Sequence, residues 1–273
     1  MERSPPADGY PRAVRIARFT TGDEPRFAAV GEDQEGQVVL AVLEGDPLYR
    51  PPRLTGEKVP LVDARLVAPV IPRSKIVGVG RNYAEHAAEL DNEVPEWPLL
   101  FLKPNTAVIG PGEAIVLPPQ SHDVQHEAEL AVVIGRICKE VPRDRAADVI
   151  FGYTCANDVT ARDLQRTDNQ WARAKGFDTF CPLGPWIETD LDPTDLAVRC
   201  LVGDEVRQDG RTSQMIHDVP ALIEYVSAAF TLLPGDVILT GTPAGVGPLV
   251  DGDEVAVRVE DVGTLTNRVI TPG

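Results

Sequence analysis

The sequence predicts an α+β fold that is mostly β. Short runs of β-branched and aromatic residues recur along the chain between turn residues, and they outnumber the segments with helical periodicity. The predicted strands do not alternate regularly with helices, which disfavours a doubly wound or barrel α/β fold. The 25 prolines lie between apolar runs rather than in one tract, as is typical of a loop-rich folded protein.

The 273 residues, 43% of them hydrophobic, suffice for one large domain or two small ones. Residues 1–12 are polar and rich in proline, and we expect them to form a loosely held tail. Three β-like runs follow without a helix, at Val14–Phe19, Phe27–Val30 and Val38–Leu43. Because residues 49–60 are rich in proline and charge, they are the favoured domain boundary. We therefore expect a small N-terminal β region over residues 1–65 and a larger domain over residues 66–273.

The larger domain is predicted to contain more strands than helices. Its strands are expected at Lys75–Val79, Leu99–Lys103, Ala114–Leu117, Glu129–Ile134, Phe151–Ala156, Val198–Val202, Val237–Thr240 and Val255–Val259. Its helices are expected at Tyr83–Leu90 with Asn82 as the N-cap, at Arg143–Val149, near Ala161–Gln165 and at Pro220–Phe230.

Charge and hydropathy disfavour nucleic-acid and membrane partners. Lys and Arg total 26 against 42 Asp and Glu, and the resulting net charge of −16 has the wrong sign for neutralising phosphates. No segment approaches the ~20 apolar residues of a membrane span. The first residues lack the apolar segment of a signal peptide. We therefore expect a soluble, cytoplasmic protein that binds neither nucleic acid nor membranes.

Several common catalytic and metal-binding motifs are missing from the sequence. The cysteines form no CxxC pair, so they are expected to be buried free thiols. No serine lies in a G-x-S-x-G frame. The glycine-rich run 241–247 lacks the Lys-Ser/Thr ending of a phosphate loop. His126 and Glu127 begin like H-E-x-x-H, but residue 130 is leucine, so the two-histidine zinc face is absent.

Three carboxylates fall in apolar surroundings and suggest a metal site. Residues 126–134 are predicted to form one strand, in which a period of two places Glu127 and Glu129 on the same face. Two like charges this close favour a bound cation. Asp158 follows another apolar run and adds a third carboxylate. Three oxygen ligands without sulfur suit Mg²⁺ or Mn²⁺, whereas the alternative is a solvated strand end with Asp158 as an ordinary helix cap.

A basic segment follows the third carboxylate in this otherwise acidic chain. Arg162 and Lys175, which lie near a presumed metal ligand, are interpreted as binding an anionic substrate such as a carboxylate. Gln165 lies three residues after Arg162 and shares its helix face if the segment is helical. Arg166 and Arg173 are interpreted as solvated charges on the surface of that helix.

A candidate general base lies on the first predicted helix of the larger domain. His86 and Glu89 are three residues apart, so their side chains can meet on one helix face. A carboxylate that orients an imidazole is a common arrangement for activating water. A surface ion pair is equally compatible with this spacing.

Six ordered motifs together resemble the fumarylacetoacetate hydrolase family. They are Gly80-Arg81-Asn82-Tyr83-Ala84-Glu85-His86, Phe101-Leu102-Lys103-Pro104, Glu127-Ala128-Glu129, Asn157-Asp158-Val159-Thr160-Ala161-Arg162-Asp163, Lys175-Gly176-Phe177-Asp178 and Thr240-Gly241-Thr242-Pro243-Ala244-Gly245-Val246-Gly247. The resemblance runs from about residue 66 to the end. The short N-terminal region is similar to that of the shorter bacterial members, named acylpyruvate hydrolases or 2-hydroxyhepta-2,4-diene-1,7-dioate isomerases.

The resemblance implies a fold, a cofactor and roles for individual residues. It implies a mixed β-roll catalytic domain over residues 66–273, usually in a homodimer. The remaining implications concern the site: Mg²⁺ or Mn²⁺ on Glu127, Glu129 and Asp158; a water-activating dyad of His86 and Glu89 on a lid; and substrate contacts from Lys175, Arg162, Gln165 and Thr242. The substrates implied are small anionic 2-oxo acids, including acylpyruvates and other β-diketo acids, chelated by the metal so that an enolate is stabilised.

The leading hypothesis is a divalent-metal-dependent hydrolase that cleaves a C–C bond in a β-diketo acid. The alternatives within enzymes are an isomerase or decarboxylase of a dienoic diacid, or an oxaloacetate decarboxylase. The dyad favours hydrolysis because decarboxylation does not need activated water. A metal-binding scaffold without turnover is the non-enzymatic alternative, and His86, Glu89 and Lys175 argue against it because a scaffold needs only the carboxylates.

Overall fold

The computed structural model describes residues 14–89 and 93–272, so the predicted tail at residues 1–12 lies outside the described residues. The first ten strands are β1 Arg15–Thr20, β2 Arg26–Glu32, β3 Val38–Leu43, β4 Leu54–Pro60, β5 Arg65–Val67, β6 Ile76–Gly80, β7 Leu99–Lys103, β8 Val108–Ile109, β9 Ala114–Val116 and β10 Val124–His126. The next ten are β11 Ala128–Ile134, β12 Ile150–Asn157, β13 Thr160–Ala161, β14 Cys181–Glu188, β15 Ala197–Val202, β16 Glu205–Arg211, β17 Val237–Leu239, β18 Gly247–Pro248, β19 Glu254–Val259 and β20 Gly263–Ile270.

The helices are short. The α-helices are α1 Ala84–Glu89, α2 Arg162–Thr167, α3 Ala172–Gly176 and α4 Val219–Ala229, and 3-10 turns lie at Leu61–Asp63, Asn105–Ala107, Arg143–Val149 and Thr212–Gln214. Asp218 caps α4 by accepting a hydrogen bond from the backbone of Ala221. Within residues 14–89 and 93–272, no helix has the length and apolar character needed to cross a membrane.

The strands form one large mixed sheet and two smaller ones. The twelve-stranded sheet has the order β4-β3-β2-β1-β14-β12-β11-β17-β6-β7, with β5 beside β1 and β8 beside β14. Its neighbours are antiparallel except for the β17–β6 and β14–β8 pairs. A five-stranded sheet has the order β16-β15-β19-β20-β9, and a three-stranded sheet has the order β13-β10-β18. This arrangement confirms the predicted α+β, mostly β fold.

The core lies on both faces of the large sheet. Every residue of β11 is buried. Leu130 and Val132 pack into one hydrophobic cluster with residues of β15 and β19, whereas Ala131 and Val133 pack into another with residues of β17 and β14. A strand covered on both faces has a nearly continuous apolar sequence, as β11 does apart from Glu129. Of the free cysteines, Cys155, Cys181 and Cys200 are buried and Cys138 is partly exposed, so the expectation of buried thiols is confirmed for three.

The predicted strand over residues 126–134 is wrong at one decisive residue. β10 ends at His126 and β11 begins at Ala128, so Glu127 lies at a break between strands of two different sheets. Asn157 stabilises the break, because its Oδ1 accepts from the Glu127 N–H at 2.9 Å. The neighbouring Asp158 N–H donates to the Glu127 carbonyl oxygen at 2.9 Å. Glu127 and Glu129 therefore converge through a chain bend and not through strand alternation alone.

Other predicted elements also differ from the structure. Asn82 does not cap α1, because its side-chain amide bonds the backbones of His217 and Thr240. The segment 143–149 is a 3-10 turn rather than an α-helix. β4 lies inside the segment 49–60 and pairs with β3. β14 was not predicted because it contains Pro182, Gly184 and Pro185, which are breaker signals in a strand.

Candidate metal centre and catalytic cavity

Three carboxylates meet where β11 and β12 pair. The antiparallel register aligns Ala128 with Asn157 and Glu129 with Ala156, which brings Asp158, the residue after β12, beside the break at Glu127. One carboxylate oxygen from each of Glu127, Glu129 and Asp158 lies within 4.8 Å of the others, and all three residues are buried. Asp158 does not cap a helix, since α2 begins only at Arg162.

Buried cations surround two of the three carboxylates. Lys175 Nζ donates to Glu127 Oε2 at 2.7 Å and to Asp158 Oδ2 at 2.6 Å. Arg162 donates to Glu127 Oε1 at 2.7 Å, and Lys103 donates to the other oxygen of Asp158. Burial alone would raise the pKa of Glu127, but Lys175 and Arg162 outweigh it and hold that pKa well below its usual range.

Glu129 is the carboxylate that the protein leaves without a cation. Its Oε2 accepts from the Gly241 N–H at 2.7 Å, and it forms no ion pair with any described residue. Burial, together with Asp158 and Glu127, raises the pKa of Glu129 well above its usual range. A buried carboxylate of this kind fits a site for a hard divalent cation, because Mg²⁺ and Mn²⁺ prefer oxygen ligands.

A cavity of about 480 Å³ opens beside the carboxylates. All of the predicted site residues except Asp158 line it. The lining residues among them are His86, Glu89, Glu127, Glu129, Arg162, Gln165, Lys175 and Thr242. Arg81, Arg166 and Trp171 also line it. The structure thus brings residues from α1, α2, α3, the strand break and the loop after β17 around one volume.

His86 and Glu89 face this cavity from α1. His86 Nδ1 lies 3.2 Å from Glu89 Oε2. Glu89 also accepts from the Gly245 N–H, at 3.0 and 3.2 Å to its two oxygens. Burial is the main cause that lowers the pKa of His86, so the imidazole is neutral at pH 7. Because a carboxylate only accepts, Nδ1 carries the proton in that state and Nε2 keeps a free lone pair.

The basic segment divides into buried and exposed members. Arg162 is buried, and besides Glu127 it donates to Gln125 at 3.0 Å and to Gln165 at 2.7 Å. Its guanidinium therefore orders both a carboxylate and the Gln165 amide. Arg173 is exposed and pairs with Asp168, as the sequence interpretation expects. Arg166 is also exposed, but it lies at the cavity, which the sequence interpretation did not anticipate.

Some residues of the site were missed by sequence reasoning. Lys103 belongs to the motif Phe101-Leu102-Lys103-Pro104, but the sequence alone assigned it no function. A lysine at the end of an apolar strand is nevertheless a signal for a buried ion pair. Gln208 lies in the polar strand β16 and carries no local signal. The backbone N–H groups of Gly241 and Gly245, which bind Glu129 and Glu89, depend on chain geometry that the sequence does not display.

The fold and the cavity define an α+β protein whose buried carboxylates, lysines and histidine–glutamate pair lie at or beside one cavity. The chain belongs to the fumarylacetoacetate hydrolase family: residues 75–270 match the family described as "Fumarylacetoacetate (FAA) hydrolase C-terminal". Residues 14–69 match a second family, described as "Rv2993c-like, N-terminal".

Two curated relatives and two solved structures illustrate the range of the family. Protein Rv2993c of Mycobacterium tuberculosis is 53% identical over 264 residues, 95% of this chain and 99% of the relative. The mitochondrial oxaloacetate tautomerase FAHD2A of Bos taurus is 41% identical over 249 residues, 87% of this chain and 78% of the relative.

Of the solved structures, the 2-hydroxyhepta-2,4-diene-1,7-dioate isomerase from Mycobacterium marinum is 50% identical with a TM-score of 0.87, covering 95% of this chain and 99% of that chain. The fumarylpyruvate hydrolase from Pseudomonas aeruginosa, in complex with Mn²⁺ and pyruvate, is 31% identical with a TM-score of 0.70, covering 74% of this chain and 91% of that chain. Members that resemble this chain thus include a hydrolase, an isomerase and a tautomerase.

Proposed function

We propose that this protein is a divalent-metal-dependent hydrolase that cleaves a C–C bond in an acylpyruvate or a related β-diketo acid. The observation that carries the proposal is the contact of His86 with Glu89 on the same cavity as Glu127 and Glu129. A positioned base beside a carboxylate cluster is what the attack of water on a carbonyl requires.

Each residue of the cavity has a role in this proposal. Glu127, Glu129 and Asp158 would hold Mg²⁺ or Mn²⁺, which when bound would supply Lewis-acid stabilisation of negative charge on a 2-oxo acid. His86 Nε2 would take a proton from water, and Glu89 would keep Nδ1 protonated and steady the resulting imidazolium. Lys175 would place a positive charge where negative charge develops.

The charges of the site support an anionic substrate. Three buried carboxylates face three buried cations, Lys103, Arg162 and Lys175. A divalent cation would therefore leave the centre with excess positive charge in a buried setting, where an anion is strongly favoured. We propose that Arg162, through its bond to Gln165, orients the carboxylate end of such a substrate, and that Thr242 accepts from a donor group of it, such as an enol hydroxyl.

A second candidate is keto–enol isomerisation or decarboxylation of a 2-oxo or dienoic diacid. It is favoured by the likeness to the oxaloacetate tautomerase and to the diene-dioate isomerase. Those reactions would use the carboxylate cluster and Lys175 but would not need His86 to activate water. A scaffold without turnover has no use for the buried His86 and Lys175.

The test is turnover with controlled metal content. The protein is treated with a chelator, reloaded with Mg²⁺ or Mn²⁺, and assayed on acylpyruvates, oxaloacetate and dienoic diacids by loss of enol absorbance, with products identified by chromatography. Hydrolysis of an acylpyruvate yields pyruvate and a carboxylic acid, whereas tautomerisation yields no new acid. Full turnover in excess chelator by metal-free protein would overturn the metal assignment. The homodimer is a further proposal, which light scattering of the purified protein tests.

A further inference from the structure

Gln208 is a fully buried amide whose four hydrogen bonds are all made inside the protein. Its Oε1 accepts from the Ala128 N–H at 2.9 Å and from His126 Nδ1 at 3.0 Å. Its Nε2 donates to Thr242 Oγ1 and to the Pro243 carbonyl oxygen, each at 2.7 Å. An amide has two donor and two main acceptor positions, so Gln208 has no capacity left.

These partners allow only one orientation of the amide. The Ala128 N–H can only donate and the Pro243 carbonyl can only accept, so Oε1 and Nε2 cannot be exchanged. His126 must therefore carry its proton on Nδ1. Thr242 Oγ1 accepts from Gln208, and its own proton goes to the Ala128 carbonyl oxygen at 2.8 Å. The Thr242 hydroxyl thus keeps one lone pair for a ligand in the cavity and can accept but not donate there.

The two ends of Gln208 belong to two parts of the site. Ala128 separates Glu127 from Glu129, whereas Thr242 lies in the loop 241–245. The N–H groups of Gly241 and Gly245 in that loop bind Glu129 and Glu89 respectively. The loop packs tightly on β16, since a Cβ at Gly245 would lie 2.1 Å from the carbonyl oxygen of the residue before Gln208.

We propose that Gln208 is a positioning residue of the candidate active site. It fixes the Thr242 hydroxyl in one proton arrangement and joins the loop 241–245 to the strand break that carries Glu127. The role in turnover rests on the proposed function, whereas the effect on the loop does not. Because Thr240 is separately bonded to Leu130 and Asn82, loss of Gln208 should loosen the loop beyond Gly241 more than the metal ligands.

The experiment compares Gln208→Met with Asn267→Leu, each a near-isosteric loss of a buried amide. Asn267 donates to the Gly110 and Glu113 carbonyl oxygens, far along the chain from the cavity residues. Gln208→Met is expected to speed hydrogen exchange at Gly245 and in α1 by about tenfold or more. It should lower kcat/KM on acetylpyruvate by about 10²-fold and keep Mn²⁺ affinity. Asn267→Leu should lower Tm without either local change.

A double-mutant cycle tests whether Gln208 acts through Thr242. Thr242→Val removes the hydroxyl, so adding Gln208→Met should then cost much less in kcat/KM than it does alone. Additive losses, or exchange that rises uniformly over the chain, would overturn the proposal. If neither the wild type nor any variant turns over a substrate, the proposed function fails while the exchange data still decide the role of Gln208. Should Gln208→Met not fold, Gln208→Glu, which keeps the acceptor and loses both donors, replaces it in the same measurements.

Discussion

Replacing His86 with alanine separates hydrolysis from the other reactions that this cavity would support. The His86 side chain is 6% exposed and lies 3.2 Å from Glu89, and its lowered pKa favours the basic form at pH 7. The whole contribution of a general base is therefore lost in the variant, a factor of about 10²–10⁴ in kcat. Metal affinity should be unchanged, since the proposed ligands are the three clustered carboxylates and do not include His86.

The assay measures steady-state kinetics on an acylpyruvate and on oxaloacetate, together with bound Mn²⁺. His122→Ala is the matched control, because His122 is exposed and does not line the cavity. Glu89→Gln should act in the same direction but more mildly, because an amide oxygen still accepts from Nδ1. Unchanged acylpyruvate cleavage in His86→Ala would remove the dyad from the mechanism. A loss confined to acylpyruvate, with oxaloacetate conversion intact, would show that hydrolysis needs His86 and that oxaloacetate conversion does not.

The pH profile gives an independent check with a definite sign. A base works only when it is deprotonated, and burial lowers the pKa of His86 below its ordinary 6.5. The activity of the wild type should therefore fall on acidification with a midpoint below pH 6.5. An acid limb above pH 6.5 would contradict a buried, neutral His86 as the base.

Three further predictions follow from the contacts of the site. Glu129→Gln should abolish Mn²⁺ binding in calorimetry without lowering the Tm of the metal-free protein, because Glu129 has no ion pair with a described residue. Asp158→Asn should also abolish binding but should destabilise the metal-free protein by about 3–5 kcal/mol in urea unfolding, since it removes the carboxylate partner of the buried Lys103 and one of the two carboxylate partners of Lys175. Equal Tm values for the two variants would refute this distinction. Lys175→Met should lower kcat/KM by about 10²–10³-fold, whereas Arg173→Ala, at an exposed residue, should change it little. Similar kinetics in both variants would contradict the proposed role of Lys175 in charge stabilisation. Asn82→Ala removes three hydrogen bonds to the backbones of His217 and Thr240 and should lower the free energy of unfolding by about 3 kcal/mol. A loss below about 1 kcal/mol would mean that water replaces these hydrogen bonds.

The sequence predicted which carboxylates come together better than it predicted how they meet. Glu127 and Glu129 were paired by strand alternation, which requires only a local pattern. The structure brings them together at a break between two sheets, which depends on Asn157 and on the pairing of β11 with β12. Such long-range pairing leaves no periodic trace in the residues around Glu127. A correct set of clustered carboxylates was thus compatible with an incorrect local geometry.

The difference between local patterns and long-range pairing also explains which helices and which side-chain contacts were predicted. Helix α4 was predicted within one residue at each end because the helical spacing of its apolar residues is a local signal. The lysine partners of Asp158 were not predicted as a set, since Lys103 and Lys175 come from separate elements, β7 and α3. Gln208 illustrates the extreme case. All four of its bonds reach residues at least 34 positions away, so no window of sequence contains its role.

Lys175 connects the stability of the site to its proposed chemistry. Its ammonium bonds Glu127 and Asp158, the same carboxylates that would hold a divalent cation, and it also lies 5.0 Å from the Phe101 ring. In the metal-free protein it offsets the repulsion between two buried carboxylates, which would otherwise oppose folding. A divalent cation held by these carboxylates would offset that repulsion, and the ammonium would then be available to an anion in the cavity. One buried lysine can therefore serve folding before the metal binds and charge stabilisation afterwards, which is why its loss should affect turnover more than metal binding.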